Sequence, residues 1–228
     1  MHAAAQKPYR GKGMEGPVAR WYARTRQNDI EDFRQQAKAA AKHLRSGCAV
    51  LEIAPGPGFF AIELARLGDF RITGLDISRT MVEIARENAR NSRVEIDFRQ
   101  GNASAMPFPD ESFDFIYCSA AFKNFSEPAK ALEEMHRTLR PEGEARIVDL
   151  RRDVSLEEID SYLKQSGRGR ADAWLTKWVF RWVLVKRAYA KDDFVRMAER
   201  SPFGTCRITA DPIGYEVRLA KRVFGEGH

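Results

Sequence analysis

The sequence predicts an α/β fold: a Rossmann-like, seven-stranded, mostly parallel sheet with helices on both faces and an antiparallel edge hairpin. Three observations predict it. Short apolar runs alternate with helically spaced segments between residues 49 and 150. The first of these runs ends in a glycine loop, Pro55-Gly56-Pro57-Gly58, with a helical pattern directly after it. Two strand-like runs near the C-terminus are joined by Asp211-Pro212-Ile213-Gly214, a hairpin-length turn. At 228 residues and 43% hydrophobic, the chain suits one large domain, or a domain with an appendage.

Each element has its own local reason. Residues 1–17 are rich in Gly, Lys and Pro and read as an irregular arm. Helical character follows to about residue 44, where Asn28 or Asp29 is placed to cap a second helix over the Ala-rich run 33–44, closed by Gly47. Residues 49–53 form a strand, 59–67 a helix, and 70–75 a second strand closed by Asp76. Ser78 caps a helix over 81–89, and residues 94–100 alternate as a third strand. The fourth strand covers 113–118, a helix covers 128–139 up to Pro141-Glu142-Gly143, and the fifth strand covers 145–150. Beyond it the regularity breaks. Helices are expected over 153–166, 171–190 and 192–200, then strands over 205–209 and 215–222.

Composition excludes several classes. The hydrophobic share rules out global disorder, and no uncharged apolar run reaches the length of about 18 residues needed to span a membrane. Residues 1–16 carry no apolar leader core, so a cytoplasmic chain is the expectation. Cys48, Cys118 and Cys206 lie far apart without a CxxC, which fits reduced structural thiols and no metal site. The net charge of +6 resolves into +6 over residues 1–49, −5 over 50–150 and +5 over 151–228. A nucleic-acid partner needs those basic residues to converge on one face, and the excess is divided between the two ends.

The sharpest feature is the run Val50-Leu51-Glu52-Ile53-Ala54-Pro55-Gly56-Pro57-Gly58. Glycine there permits a positive φ and lets a ligand approach the backbone at the carboxyl end of a parallel strand. Asp76 ends the next strand about 20 residues on, where a carboxylate accepts hydrogen bonds from two ribose hydroxyls. Ala61 nearly completes a dinucleotide fingerprint, so spacing alone leaves a nicotinamide cofactor open.

Taken together, the motifs over residues 49–152 resemble the class I S-adenosylmethionine-dependent methyltransferases. Residues 50–58 are similar to that family's first motif, with Glu52 as its acidic residue and Ala54 in place of its first glycine. Gly74-Leu75-Asp76-Ile77-Ser78 is similar to the second. Residues 101–108 are similar to the adenine-pocket stretch, with Asn102 where Asp is usual. Residues 113–119 and Leu139-Arg140-Pro141-Glu142-Gly143 are similar to the fourth-strand motif and the turn before the fifth strand. Ala120-Ala121-Phe122-Lys123-Asn124-Phe125 is locally similar to the ubiquinone and menaquinone biosynthesis methyltransferases, which often have Arg-Asn there.

The resemblance implies S-adenosylmethionine as cofactor and methyl transfer to a small-molecule acceptor by in-line displacement. Gly56 and Gly58 would admit the donor's amino-acid end, with Glu52 near its ammonium or ordering the loop. Asp76 would hold the ribose, Ile77 and Met81 pack the adenine, and Asn102 with Ala103 read its edge. Ser119 would close the floor near the methyl group, and Tyr22 on the first helix would cover the sulfonium. Lys123, Trp174 and Trp178 are the acceptor-site candidates, while no general base stands out. Trp174, Trp178, Trp182 and Tyr189 recur mainly every four residues, in a stretch with 8 basic residues against 1 acidic between Lys164 and Lys191. That face suits a lid over a hydrophobic or anionic acceptor, or a peripheral contact with an anionic membrane.

The organisation expected is a helical lid with its arm over 1–48 and a cofactor core over 49–152. A helical insertion capping the acceptor follows over 153–191, and a final helix and strand pair over 192–228. Methylation of RNA or of phospholipid head groups is the second reading, and a non-catalytic S-adenosylmethionine-binding module is the third. The absence of an N-P-P-Y-type tetrapeptide after the fourth strand counts against nucleobase or glutamine-amide methylation.

Overall fold

Alternation along the central strand decides how the layers form. In a computed structural model that describes residues 14–155, 157–158, 161 and 187–222, β1 spans Ala49–Ile53 and is buried throughout. Leu51 and Ile53 join an apolar cluster on one face of the sheet, and Val50 joins a second cluster on the other. Glu52 shares the side of Val50, a geometry that becomes important below.

The remaining strands are β2 (Arg71–Asp76), β3 (Asp97–Gln100), β4 (Phe113–Ser119), β5 (Leu139–Leu150), β6 (Arg207–Ala210) and β7 (Gly214–Ala220). They form one sheet in the order β3-β2-β1-β4-β5-β7-β6. Strands β1 to β5 pair in parallel, and β7 is antiparallel to both β5 and β6. This is the predicted sheet with its edge hairpin. After β1 the chain moves outward to β2 and β3, then returns to β4 on the other side of β1. The crevice at the carboxyl ends of β1 and β4 is therefore the topological switch point, where such sheets bind ligands.

Helices α1 (Gly16–Arg26), α2 (Ile30–Ala41), α3 (Phe59–Ala65) and α4 (Arg79–Ser92) precede β3, and α5 (Pro128–Thr138) and α6 (Lys191–Glu199) follow it. Ala37, Phe60, Val82 and Ala85 place α2, α3 and α4 on the face with Val50. Leu132, Met135, Phe194 and Ala198 place α5 and α6 on the opposite face. The cap expected of Ser78 is formed, its hydroxyl accepting the Met81 amide at 3.0 Å.

Asp29 departs from expectation. It stands at the start of α2 without a side-chain cap, because its carboxylate pairs with Arg26 at 2.6 Å. Two other readings need correction. The turn at Pro141–Gly143 survives inside β5 as an irregularity, with a register shift against β4 and Glu142 at φ 64°. The helix expected over 171–190 does not include Ala188, Tyr189 or Ala190, and Tyr189 bridges Arg151 instead. Arg152 donates its amide to the Tyr189 carbonyl at 3.1 Å and its Nε to the Ala188 carbonyl at 2.9 Å. Most of the remaining insertion, with Trp174, Trp178 and Trp182, lies outside the described residues.

Candidate active site

The glycine loop is built from left-handed residues with separate duties. Ala54 has φ 55° and donates its amide to the Leu75 carbonyl at 2.8 Å. A non-glycine residue in that region is strained by about 1 kcal/mol or more, so the neighbouring strands hold the loop in place. Gly56 also has positive φ, and a Cβ there would meet nothing within 4 Å. The loop is open at that point to close approach by a ligand. Gly58, at φ 80°, has a packing duty: a Cβ would stand 2.8 Å from the Phe98 ring and 3.1 Å from Ala85. Its lack of a side chain lets α3 close on α4 and β3.

Asp76 faces this loop from the end of β2. Its Oδ2 accepts the Gly56 amide at 3.0 Å and its Oδ1 accepts the Ser78 amide at 2.8 Å. An ionised carboxylate has about four acceptor sites, so two are left for a pair of vicinal hydroxyls. Burial raises the Asp76 pKa to about 6, against the pull of the Ser78 and Gly56 amides, so the group is largely ionised at pH 7.

Glu52 orders the loop from beneath. Because it shares the side of Val50, its Oε2 reaches the Ala61 amide in the first turn of α3 at 3.1 Å. Burial lifts its pKa to about 8, despite that amide, and the neighbouring Asp76 pushes the same way. The side chain is therefore mostly protonated at pH 7.

Asn102 is half-buried after β3. It spends its acceptor Oδ1 on the Ser104 amide at 2.9 Å, so what it keeps for a ligand is chiefly a donor. A donor suits a ring nitrogen of adenine better than its exocyclic amine. Ala103 and Met81 are buried, Ile77 is half-buried beside Asp76, and Tyr22 is half-buried on α1.

Across the switch point, Ser119 ends β4 and Ala120 follows it at φ 56°, its amide donated to the Val148 carbonyl at 2.7 Å. Lys123 is not an open cation for an acceptor. Its ammonium is buried, 2.6 Å from Asp149 Oδ1 and 2.6 Å from the Ala120 carbonyl, with side chains 3% and 1% exposed. Asp149 also accepts the amides of Lys123 and Leu150, both at 2.8 Å. The pair binds the loop after β4 to the end of β5.

Sequence reasoning missed two supports. Asn88 on α4 donates to the Pro57 carbonyl at 2.9 Å, and Glu15 reaches the start of α4 from 64 residues away. Neither belongs to a local motif that would have marked it. A separate cleft of about 390 Å3 lies between α2, α3 and α4, and Phe59 is its link to the loop.

The fold and this arrangement are similar to those of class I methyltransferase domains, the kind that uses S-adenosylmethionine. Residues 51–147 match the family described as "Methyltransferase domain". Among characterised relatives, the demethylmenaquinone methyltransferase of Deinococcus radiodurans is 39% identical over 110 residues, covering 48% of this chain and 46% of the relative. The ubiquinone/menaquinone biosynthesis C-methyltransferase of an Enterobacter species is 35% identical over 115 residues, covering 49% and 46%. The chain thus spans about half the length of the curated relatives it matches.

Solved structures share the fold more completely. A Methanococcus maripaludis protein superposes with a TM-score of 0.75 at 18% identity, covering 94% of this chain and 97% of that one. A SAM-dependent methyltransferase from Aquifex aeolicus gives 0.62 at 19%, covering 86% and 93%. The residues present fit the cofactor: the space where a Gly56 Cβ would lie is open, and the Asp76 carboxylate beside it keeps acceptor capacity for ribose hydroxyls.

Proposed function

We propose that this protein transfers a methyl group from S-adenosylmethionine to a small hydrophobic acceptor of the quinol class. The observation that carries the donor half is the Asp76 carboxylate, oriented by the Gly56 and Ser78 amides at the switch point. The acceptor class rests on the relatives, named for demethylmenaquinone and for ubiquinone and menaquinone biosynthesis. When bound, the cofactor supplies an electrophilic methyl group on a sulfonium, and this class of reaction is a displacement along the sulfur–methyl axis.

The chain's own residues bind and orient. Asp76 holds the ribose, the open backbone at Gly56 receives the amino-acid end, and Glu52 steadies the loop through α3. Ile77 and Met81 flank the adenine, with Asn102 and Ala103 at its edge. Ser119 and the left-handed Ala120 form the floor on the acceptor side, held there by Lys123 and Asp149. Fixed orientation of donor and acceptor is worth several kcal/mol of barrier by itself. Tyr22 serves as a covering group on α1.

The test is transfer of radiolabelled methyl from S-adenosylmethionine by the full chain. The acceptor panel is a reduced prenylated naphthoquinol, a simple phenol, an amine, a thiol, anionic phospholipid vesicles and RNA. Label in the naphthoquinol is expected. Label confined to RNA or lipid overturns the acceptor class, and donor binding without label in any acceptor favours a binding module.

A further inference from the structure

We propose that Glu15 is a positioning residue for the cofactor, clasping the segment before α1 onto the turn that carries Asp76; this rests on the donor-site reading above. The contacts are dense for three residues of chain. The Glu15 carboxylate accepts the Arg79 amide at 2.9 Å, the Thr80 amide at 3.1 Å and the Thr80 hydroxyl at 2.6 Å. Gly16 donates its amide to Thr80 Oγ1 at 3.0 Å, and Ser78 donates its hydroxyl to the Met14 carbonyl at 2.5 Å.

Ser78 is the junction. Its hydroxyl holds Met14 and receives the Met81 amide, while its own amide is given to Asp76 Oδ1. Asp76 in turn accepts the Gly56 amide. A continuous path of hydrogen bonds therefore runs from Met14 through Ser78 and Asp76 to the open glycine. Ser78 and Glu15 together occupy the amides of Arg79, Thr80 and Met81, groups that a helix start otherwise leaves without intrahelical partners. The negative carboxylate also lies at the favourable end of the α4 dipole. Although burial works the other way, the Thr80 hydroxyl and the Thr80 and Arg79 amides hold the Glu15 carboxyl below the usual carboxylate range.

A purely structural bond would matter to folding alone. This one ends on the turn whose carboxylate faces the ligand, so loosening it lets Asp76 wander and weakens binding in a chain that stays folded. Glu15 is on the exposed side of the segment, and its replacement leaves both apolar clusters intact.

The experiment is calorimetric titration of the full chain with S-adenosylhomocysteine, for wild type, Glu15→Ala and Thr80→Val. Both variants are expected to bind about tenfold more weakly, as loss of charge-assisted hydrogen bonds predicts. Melting of the ligand-free Glu15→Ala chain should shift little, while its stabilisation by ligand shrinks. In the wild type, ligand should slow tryptic cleavage at Arg20 and Arg24, and in Glu15→Ala it should not. A wild type that binds while both variants match it within about twofold overturns the clasp alone. A wild type that does not bind overturns the donor-site reading, and the role of Glu15 with it.

Discussion

Glu52 and Asp76 stand on adjacent strands, and burial divides their duties. Asp76 keeps its charge near neutral pH because two amides offset part of its desolvation, and the ribose-holding role proposed for it uses that charge. Glu52 has one such amide and is deeper, so it carries a proton at the same pH. Its pKa is raised from about 4.5 unfolded to about 8 folded. The folded chain therefore binds the extra proton, and stability falls as pH rises from 4.5 through 8. Glu52→Gln, which keeps an oxygen for the Ala61 amide, is expected to remove a few kcal/mol of this dependence. Urea unfolding of both chains at pH 5.5 and pH 8 would measure it, and equal slopes would contradict it. At this scale the sequence was informative about residue type and silent about state. Asp76 was legible from its spacing to the glycine loop, whereas the protonation of Glu52 depends on the layers that cover it. Asn102 was legible as a polar residue just after the third strand, but not the Asx turn onto Ser104 that occupies its Oδ1.

Elements were legible where one local signal sufficed. Ala49–Ile53 reads as a strand from an apolar run interrupted only by Glu52, and the helix from Arg79 starts where the Ser78 cap places it. Asp29 was misread because a nearby arginine competes for the same carboxylate. The bond of α1 to α4 through Glu15 was invisible, since the partners are 64 and 65 residues apart and no periodicity links them. The same holds for Lys123, an acceptor-site candidate whose pairing with Asp149 no local signal foretold. That buried pair carries its own expectation. Lys123→Met leaves Asp149 charged and unpartnered by its ammonium, which should cost about 3–5 kcal/mol of stability. The double replacement Lys123→Met with Asp149→Leu should recover most of it, measured by denaturant unfolding. A single variant as stable as wild type would show that the pair is not what ties β4 to β5.

Over the whole molecule, the charge balance and the sheet order tell one story. The acidic middle of the sequence is the sheet core with its crevice, and the basic excess lies before and after it. The mostly parallel sheet was legible because strands alternate with helices, and the last two strands announced a hairpin. What covers the acceptor side was not, because the Trp-rich stretch has no spacing that distinguishes a lid from ordinary packing. The proposed function turns on Asp76, between Gly56 and Ser78, holding the cofactor at the switch point. Calorimetry of the full chain with S-adenosylhomocysteine, beside Asp76→Ala, tests it most directly. One site is expected in the wild type, with binding weakened at least about thirtyfold in the variant; no binding by the wild type, or equal binding by both, would contradict this role of Asp76.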